Sequence, residues 1–226
     1  MSSQASTLSR VGRLWAAPIG KKAVMAITGV VLYGFAFVHM AGNLQIFLGA
    51  TVFDAYGAKI KATPPLLWGV RVLLLVSLVL HVVSAIQLTV LKRQARPQAY
   101  QRHGSRVPGS YASRTMFYGG IVLLAFLIFH ILHFTTGQAH PRFVEGAAYD
   151  NVVNGFKVAP VAIFYIFAML ALSMHLFHGV WSVFQSLGMN HPRYTPKLKA
   201  FAKVFALVVT LGFVAIPISV LAGIVH

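Results

Sequence analysis

Long apolar stretches alternate with short polar segments along the whole chain. Five stretches are each long enough to cross a bilayer as a helix, which takes about 20 residues. They cover residues 23–48, 66–91, 115–136, 160–187 and 204–225. Proline marks several of the segments between them, as at Pro64-Pro65 and Pro108, because it cannot continue a helix. The pattern predicts an all-α integral membrane bundle of five transmembrane helices, forming one domain over residues 1–226.

The composition agrees with a membrane protein. Of the 226 residues, 58% are hydrophobic and only 10% are charged, and the mean hydropathy is +0.74. A soluble domain usually carries about a quarter charged residues. The chain has no cysteine, which excludes disulfides, thiolate-bound iron–sulfur clusters and covalent c-type haem. A redox centre would therefore need other ligands, and the ten histidines are the obvious supply.

The distribution of charge predicts the orientation in the membrane. The net charge is +16, but the basic residues lie in short segments between apolar stretches, which argues against nucleic-acid binding. Fourteen of them fall on the side of the N-terminus: Arg10, Arg13, Lys21, Lys22, Lys92, Arg93, Arg96, Arg102, Arg106, Arg114, Arg193, Lys197, Lys199 and Lys203. The opposite side has four, Lys59, Lys61, Arg142 and Lys157, and all three acids, Asp54, Glu145 and Asp150. The positive-inside rule then predicts a cytoplasmic N-terminus for this multi-pass protein, which we expect in the inner (cytoplasmic) membrane. Residues 8–15 are interpreted either as a helix lying in the headgroup region or as a basic tail.

Histidines inside the apolar stretches are the main chemical signal, because an ionisable residue within a membrane is functional by default. His39, His81, His130 and His175 lie one each on the first four stretches. Counted from the cytoplasmic end, His39 and His130 each lie about 16 residues deep, whereas His81 and His175 lie about 10 and 12 residues deep. The histidines therefore define an outer and an inner level, separated by roughly 6–9 Å.

Four imidazoles at two depths on four helices suit two stacked haems, each held between two helices. A haem with two axial histidines has no open position for a substrate, so its role is electron transfer. A polar contact between helices is the alternative explanation, and it keeps its strength for His133 and His178. Each lies three residues after another histidine, about 60° around the helix, so either member of a pair can be the ligand.

Neighbouring residues leave further alternatives open. Gly29, Gly34, Gly42, Gly119, Gly120 and Gly179 either make room for a flat macrocycle or serve ordinary helix packing. Arg71 lies just inside the outer end of the second stretch, where it binds either a propionate of the outer haem or the lipid headgroups. Ser77, one turn before His81, is a candidate hydrogen-bond acceptor for that imidazole. His103, His140 and His191 are interpreted as loop residues.

The order of these histidines resembles the di-haem cytochrome b subunit of succinate dehydrogenase and fumarate reductase, in its five-helix, single-polypeptide form. The segments that carry the resemblance are FAFVHMAGN, LVLHVV, GGIVLLAFLIFHILHF and FYIFAMLALSMHLFHGVWS. In this family the third-helix ligand follows a glycine by ten residues, which selects His130 after Gly120. The fourth-helix ligand precedes a Gly-x-Trp-Ser element, which selects His175 before Gly179.

The resemblance implies a respiratory role. His39 and His130 would hold the outer haem b, and His81 and His175 the inner one. A flavoprotein with FAD and an iron–sulfur subunit with three clusters would dock on the cytoplasmic face. Electrons would pass between succinate or fumarate and a membrane quinone, expected to be menaquinone. The succinate chemistry itself would lie on the flavoprotein.

Proton chemistry is where the chain departs from some relatives, which use a carboxylate within the fourth helix. Here no acid lies inside any apolar stretch, and Ser173 stands two residues before His175. Candidate quinone or proton partners are Asp54, Tyr56, Lys59, His133 and His178.

Two other functions compete with this interpretation. One is a di-haem quinol-oxidising subunit of a hydrogenase, formate dehydrogenase or nitrate reductase, which distributes its histidines differently among the helices. The other is a haem-free transporter or channel. Such a protein would need acidic or polar residues lining a path, and the helix interiors contain few of them.

Overall fold

A computed structural model of the chain describes residue 12 and residues 17–95, 111–189 and 191–226. Within these ranges the chain folds into seven α-helices and one 3-10 turn, Leu44–Leu48. The helices are α1 Pro18–Asn43, α2 Ala50–Lys61, α3 Pro64–Gln94, α4 Tyr111–Phe134, α5 Ala148–Phe156, α6 Ala159–Ser186 and α7 Thr195–Leu221. No strand occurs in this part of the chain.

Five of these helices are long and apolar enough to cross a bilayer: α1 with its 3-10 extension, α3, α4, α6 and α7. They correspond one to one to the apolar stretches of the sequence, so the predicted five-helix membrane bundle is confirmed. α3 begins at the predicted proline pair, since proline at the first helical position loses no hydrogen bond.

The largest error in the predicted boundaries concerns α7, which begins at Thr195 and not near residue 204. Its first three turns carry the lysines that the sequence assigned to a loop, Lys197, Lys199 and Lys203. Lys199 folds back so that its ammonium lies 5.1 Å from the centre of the Trp181 ring. A helix can start in the polar headgroup layer when its lysine side chains reach water, so hydropathy alone places the start too late.

Two short helices, α2 and α5, lie outside the spans on the predicted outer side, and the sequence did not anticipate either. Gly49 makes the turn into α2 with a positive φ of 93°, a conformation that favours glycine. The two helices pack against each other. The carboxylate of Asp54 on α2 accepts a hydrogen bond of 2.8 Å from the backbone N–H of Tyr149 in the first turn of α5. Asp54 thus satisfies an orphan donor of a helix that has no side-chain cap of its own.

Packing is densest at the outer end of the bundle. The most extensive helix contacts join α6 with α7, α1 with α3, and α4 with α6. The main hydrophobic core unites α2, α5 and the outer ends of α6 and α7 around Phe53, Phe156 and Tyr165. A smaller cluster, Leu176, Ala206 and Val209, lies deeper between α6 and α7. The outer third of the molecule is therefore the best supported by protein contacts.

Some sequence-based interpretations fall outside the described residues. They concern the two alternatives for residues 8–15 (residue 12 apart), the loop position of His103, and the basic residues Arg10, Arg13, Arg96, Arg102 and Arg106.

Candidate functional site

Four histidines face each other in two pairs between the spans. His39 of α1 and His130 of α4, here called the outer pair, have ring centroids 5.9 Å apart. His81 of α3 and His175 of α6, the inner pair, have ring centroids 6.3 Å apart. The same two combinations were predicted from the depths of the histidines along the helices. Their role as haem ligands is proposed below.

The spacing within each pair suits a shared metal ion. A metal–imidazole bond is about 2 Å, so two such bonds with half of each ring bring the centroids to about 6 Å. No group of three or more His, Cys, Asp or Glu able to hold a metal occurs among the described residues. A metal between two imidazoles would therefore need further ligands from elsewhere, as a porphyrin supplies.

The space around the pairs also suits a flat group. The pairs join α1 to α4 and α3 to α6, whereas the close packing joins α1 to α3 and α4 to α6. Gly34, Gly119, Gly120 and Gly179 are partly buried, yet an added Cβ on any of them would meet no other residue within 4 Å. Gly42 differs, because Tyr56 packs directly on it. Of the six candidate glycines, these four favour the macrocycle interpretation and Gly42 favours ordinary packing. The sixth, Gly29, lies directly against the inner pair, since an added Cβ would be 3.5 Å from Cε1 of His81.

The inner pair has few protein partners. Thr28 of α1 lies with its Oγ1 3.3 Å from Nδ1 of His81 and donates its own proton to the carbonyl of Val24 at 2.7 Å. Its oxygen can therefore accept the Nδ1 proton of His81, which leaves Nε2 for a metal. Ser77 was the sequence-based candidate for this role, whereas the groups that lie beside the His81 ring are Thr28 and the backbone of Met25, both on α1. Nδ1 of His175 is buried without a hydrogen-bond partner among the described residues, which is a costly state for a polar nitrogen.

The outer pair is surrounded by aromatic and polar side chains. Phe35 stacks on His39 with ring centroids 5.2 Å apart, and Phe126 lies 5.7 Å from His130. The amide of Asn43 lies 3.3 Å from the ring nitrogens of His39 and donates to the carbonyl of the same residue at 2.7 Å. These contacts hold His39 at the end of α1, where the helix gives way to the 3-10 turn.

A buried polar cluster continues outward from His130. Tyr165 of α6 places its hydroxyl 3.1 Å from Nδ1 of His133 and 3.4 Å from Nδ1 of His130. His133 is 1% exposed and stacks on His140, with ring centroids 4.8 Å apart. His140 donates from Nε2 to the carbonyl of Asn151 at 2.8 Å and accepts the backbone N–H of Arg142 at 3.1 Å. His140 does lie in a loop, as predicted, but its burial in this cluster was missed.

The other candidate residues lie apart from the facing pairs. His133 belongs to the buried cluster and not to a pair, and His178 is partly buried one turn beyond His175. Asp54 caps α5, and Tyr56 packs on Gly42. Lys59 is exposed in the last turn of α2, where a positive charge suits the helix dipole. Their proposed roles in quinone or proton chemistry stay predictions.

Arg71 is exposed on α3, and its guanidinium lies 5.0 Å from the centre of the Trp68 ring. Tryptophan is enriched at the membrane interface, and an arginine beside it can reach the headgroups. Of the two interpretations that the sequence left open, this position favours the headgroups over a haem propionate.

The fold and the site together define a multi-pass helical membrane protein with two facing imidazole pairs between its spans. Residues 92–215 match the family model of the succinate dehydrogenase/fumarate reductase transmembrane subunit, and the chain belongs to this family. The match includes the helices of His130 and His175 and leaves α1, with His39, and most of α3, with His81, outside it. Comparisons with curated proteins and with solved structures returned no match.

Proposed function

We propose that this chain is the di-haem cytochrome b anchor of a succinate:quinone oxidoreductase, passing electrons between an iron–sulfur subunit and membrane quinone. The observation that carries the proposal is the presence of two imidazole pairs, each about 6 Å across, on four different spans of a chain of this family. Family membership favours this function over the quinol-oxidising subunits of hydrogenases, formate dehydrogenases and nitrate reductases.

The proposal assigns each pair to one haem b: His39 and His130 to the outer haem, His81 and His175 to the inner haem. A haem iron held by two imidazoles lacks an open coordination position and carries single electrons. The protein holds the imidazoles in place through Thr28 at the inner pair and through Asn43 and Tyr165 at the outer pair. The apolar helix surfaces around both pairs would keep water out.

The partners follow from the family and from the charge. A flavoprotein with FAD and an iron–sulfur subunit would dock on the cytoplasmic side, where the basic residues of the sequence concentrate. Electrostatic complementarity would orient a less basic partner surface there. In this arrangement the chain lies in the inner membrane with its N-terminus in the cytoplasm. The inner pair would then be the closer of the two to the iron–sulfur subunit.

Quinone, expected to be menaquinone, needs proton partners as well as electrons. The candidates remain Asp54, Tyr56, Lys59, His133 and His178. Among the described residues the membrane spans carry no carboxylate. Protons would therefore enter through neutral side chains or from the short helices α2 and α5 on the outer side. Lys59 is the most exposed of these candidates, in the last turn of α2.

The test has two stages. A dithionite-reduced minus oxidised spectrum of the purified protein should show low-spin b-type haem, with two haems per chain in a pyridine haemochrome assay. Affinity purification through a tag on this chain should then recover a flavin-bearing subunit and an iron–sulfur subunit. Absence of b-type absorbance under adequate haem supply would overturn the proposal, and copurification with a molybdenum- or nickel-bearing subunit would replace it with the quinol-oxidising alternative.

A further inference from the structure

The hydroxyl of Tyr165 lies between two histidines of the neighbouring helix. It is 3.1 Å from Nδ1 of His133 and 3.4 Å from Nδ1 of His130, the second distance being at the long end of hydrogen-bond reach. Tyr165 is 6% exposed and belongs to the main hydrophobic core. The Tyr165 oxygen therefore connects His130, a proposed haem ligand, with His133, which belongs to neither facing pair.

The side chains around this oxygen restrict its movement. The Tyr165 ring makes edge contacts with Phe126 at 5.0 Å and with Phe156 at 4.9 Å. His133 is stacked between Phe129 at 5.3 Å and His140 at 4.8 Å. The contacts therefore hold the hydroxyl and its two nitrogen partners as one rigid unit.

The chemistry of the three groups fixes the direction of the hydrogen bonds. With Nδ1 of His130 directed at Tyr165, Nε2 is the nitrogen left to bind iron, and Nδ1 carries the proton. The phenol oxygen accepts that proton's hydrogen bond. Its own single proton is then donated to Nδ1 of His133, which must be the acceptor. The chain runs from His130 through Tyr165 to His133.

We infer that Tyr165 is a positioning residue for the outer haem: it orients His130 through the Nδ1 proton and, supported by His133, makes that imidazole a stronger electron donor to iron. This inference rests on the proposed function. A hydrogen-bond acceptor on the far nitrogen raises the basicity of a ligating histidine and thereby favours oxidised iron. The second hydrogen bond, to His133, polarises the hydroxyl and strengthens the first.

The test is a redox titration of the purified complex, in which two b-type transitions are followed optically. Tyr165→Phe keeps the ring and its packing but removes the oxygen. Both haems should be retained, one transition should move to higher potential, and the other should stay in place. Thr28→Val is the matched control, because it removes the corresponding oxygen beside His81 and should move the other transition.

The outcomes separate this inference from the proposed function. Two haems with unchanged potentials in Tyr165→Phe, or the same transition moved by both variants, would overturn the inference alone. If Tyr165→Phe does not retain the outer haem, His133→Leu decides, since it leaves the phenol of Tyr165 in place and removes its acceptor. A smaller upward shift of the outer-haem potential in His133→Leu supports the hydrogen-bond chain from His130 through Tyr165 to His133. An unchanged potential refutes it. A wild-type complex without b-type haem would overturn the proposed function and the inference together.

Discussion

The outer and inner pairs have similar ring spacings but very different surroundings. The outer pair lies beneath α2 and α5, next to the main hydrophobic core, with Tyr165 and Asn43 in contact with its histidines. At the inner pair the ring contacts in the described chain are only those of His81 and His175 with each other. One imidazole there has Thr28, and the other has a buried nitrogen without a partner.

The difference shows that one helical bundle can give two similar histidine pairs different degrees of support from protein contacts. At the outer pair, protein side chains contact both imidazoles. At the inner pair, fewer side chains contact the imidazoles, so a bound group would supply more of the packing around them. We therefore expect the stability of the inner region to depend more on the proposed haem, and that of the outer region to depend more on its side chains.

The largest effect should come from removing a proposed ligand, because a haem would then lose one of the two imidazoles that would hold it. His81→Ala or His175→Ala should remove the inner haem and keep the outer one, and His39→Ala or His130→Ala should do the reverse. A pyridine haemochrome assay should show the haem-to-chain ratio halved. His133→Ala and His178→Ala are the matched controls and should retain both haems. Loss of a haem in His133→Ala with retention in His130→Ala would exchange the two assignments.

Gly155→Ala tests how tightly the buried polar cluster around His133 is packed. An added Cβ would lie 2.8 Å from Cε1 of His133 and 3.0 Å from Cε1 of Phe134, both held by neighbours. We expect a loss of about 1–3 kcal/mol in stability, as for other overpacked cores. Thermal release of haem in detergent measures it. Gly57→Ala is the control, because its Cβ would meet only Ala148 at 3.8 Å, and equal behaviour of the two variants would contradict a rigid outer cluster.

Asp54→Ala should have a smaller effect on the same outer region. It removes the acceptor for the Tyr149 N–H at the start of α5, and loss of such a cap costs about 1 kcal/mol. Asp54→Asn keeps an acceptor oxygen and should lose less. Chemical unfolding of the detergent-solubilised protein compares the two. Quinone turnover abolished equally in both, with unchanged stability, would instead make Asp54 a proton partner of quinone.

Arg71→Leu should have the smallest effect on either pair. Its guanidinium lies on Trp68 at the exposed surface, so the potential of the outer haem should stay as in the wild type. Redox titration measures this directly. A shift of the outer transition would show that Arg71 reaches a haem propionate, and the interpretation of its exposed position would be wrong.

The sequence by itself determined the membrane bundle. Runs of apolar residues about as long as a bilayer is thick leave little choice but five spanning helices, since every backbone polar group in lipid must be bonded within its own helix. It also placed His39, His81, His130 and His175 at two depths, because rise per residue is fixed in a helix. Hydropathy could not find the polar start of α7 or the short helices α2 and α5, which gain their stability from tertiary contacts.

Only the tertiary structure decided which side chains support the imidazoles. Thr28 lies 53 positions from His81, and Tyr165 lies 35 from His130, so no periodicity along one helix connects them. Their contacts depend on how neighbouring helices are rotated and paired, which the packing of whole surfaces sets. The same reason explains His140, whose loop position is visible in the sequence but whose burial against His133 exists only in the folded bundle.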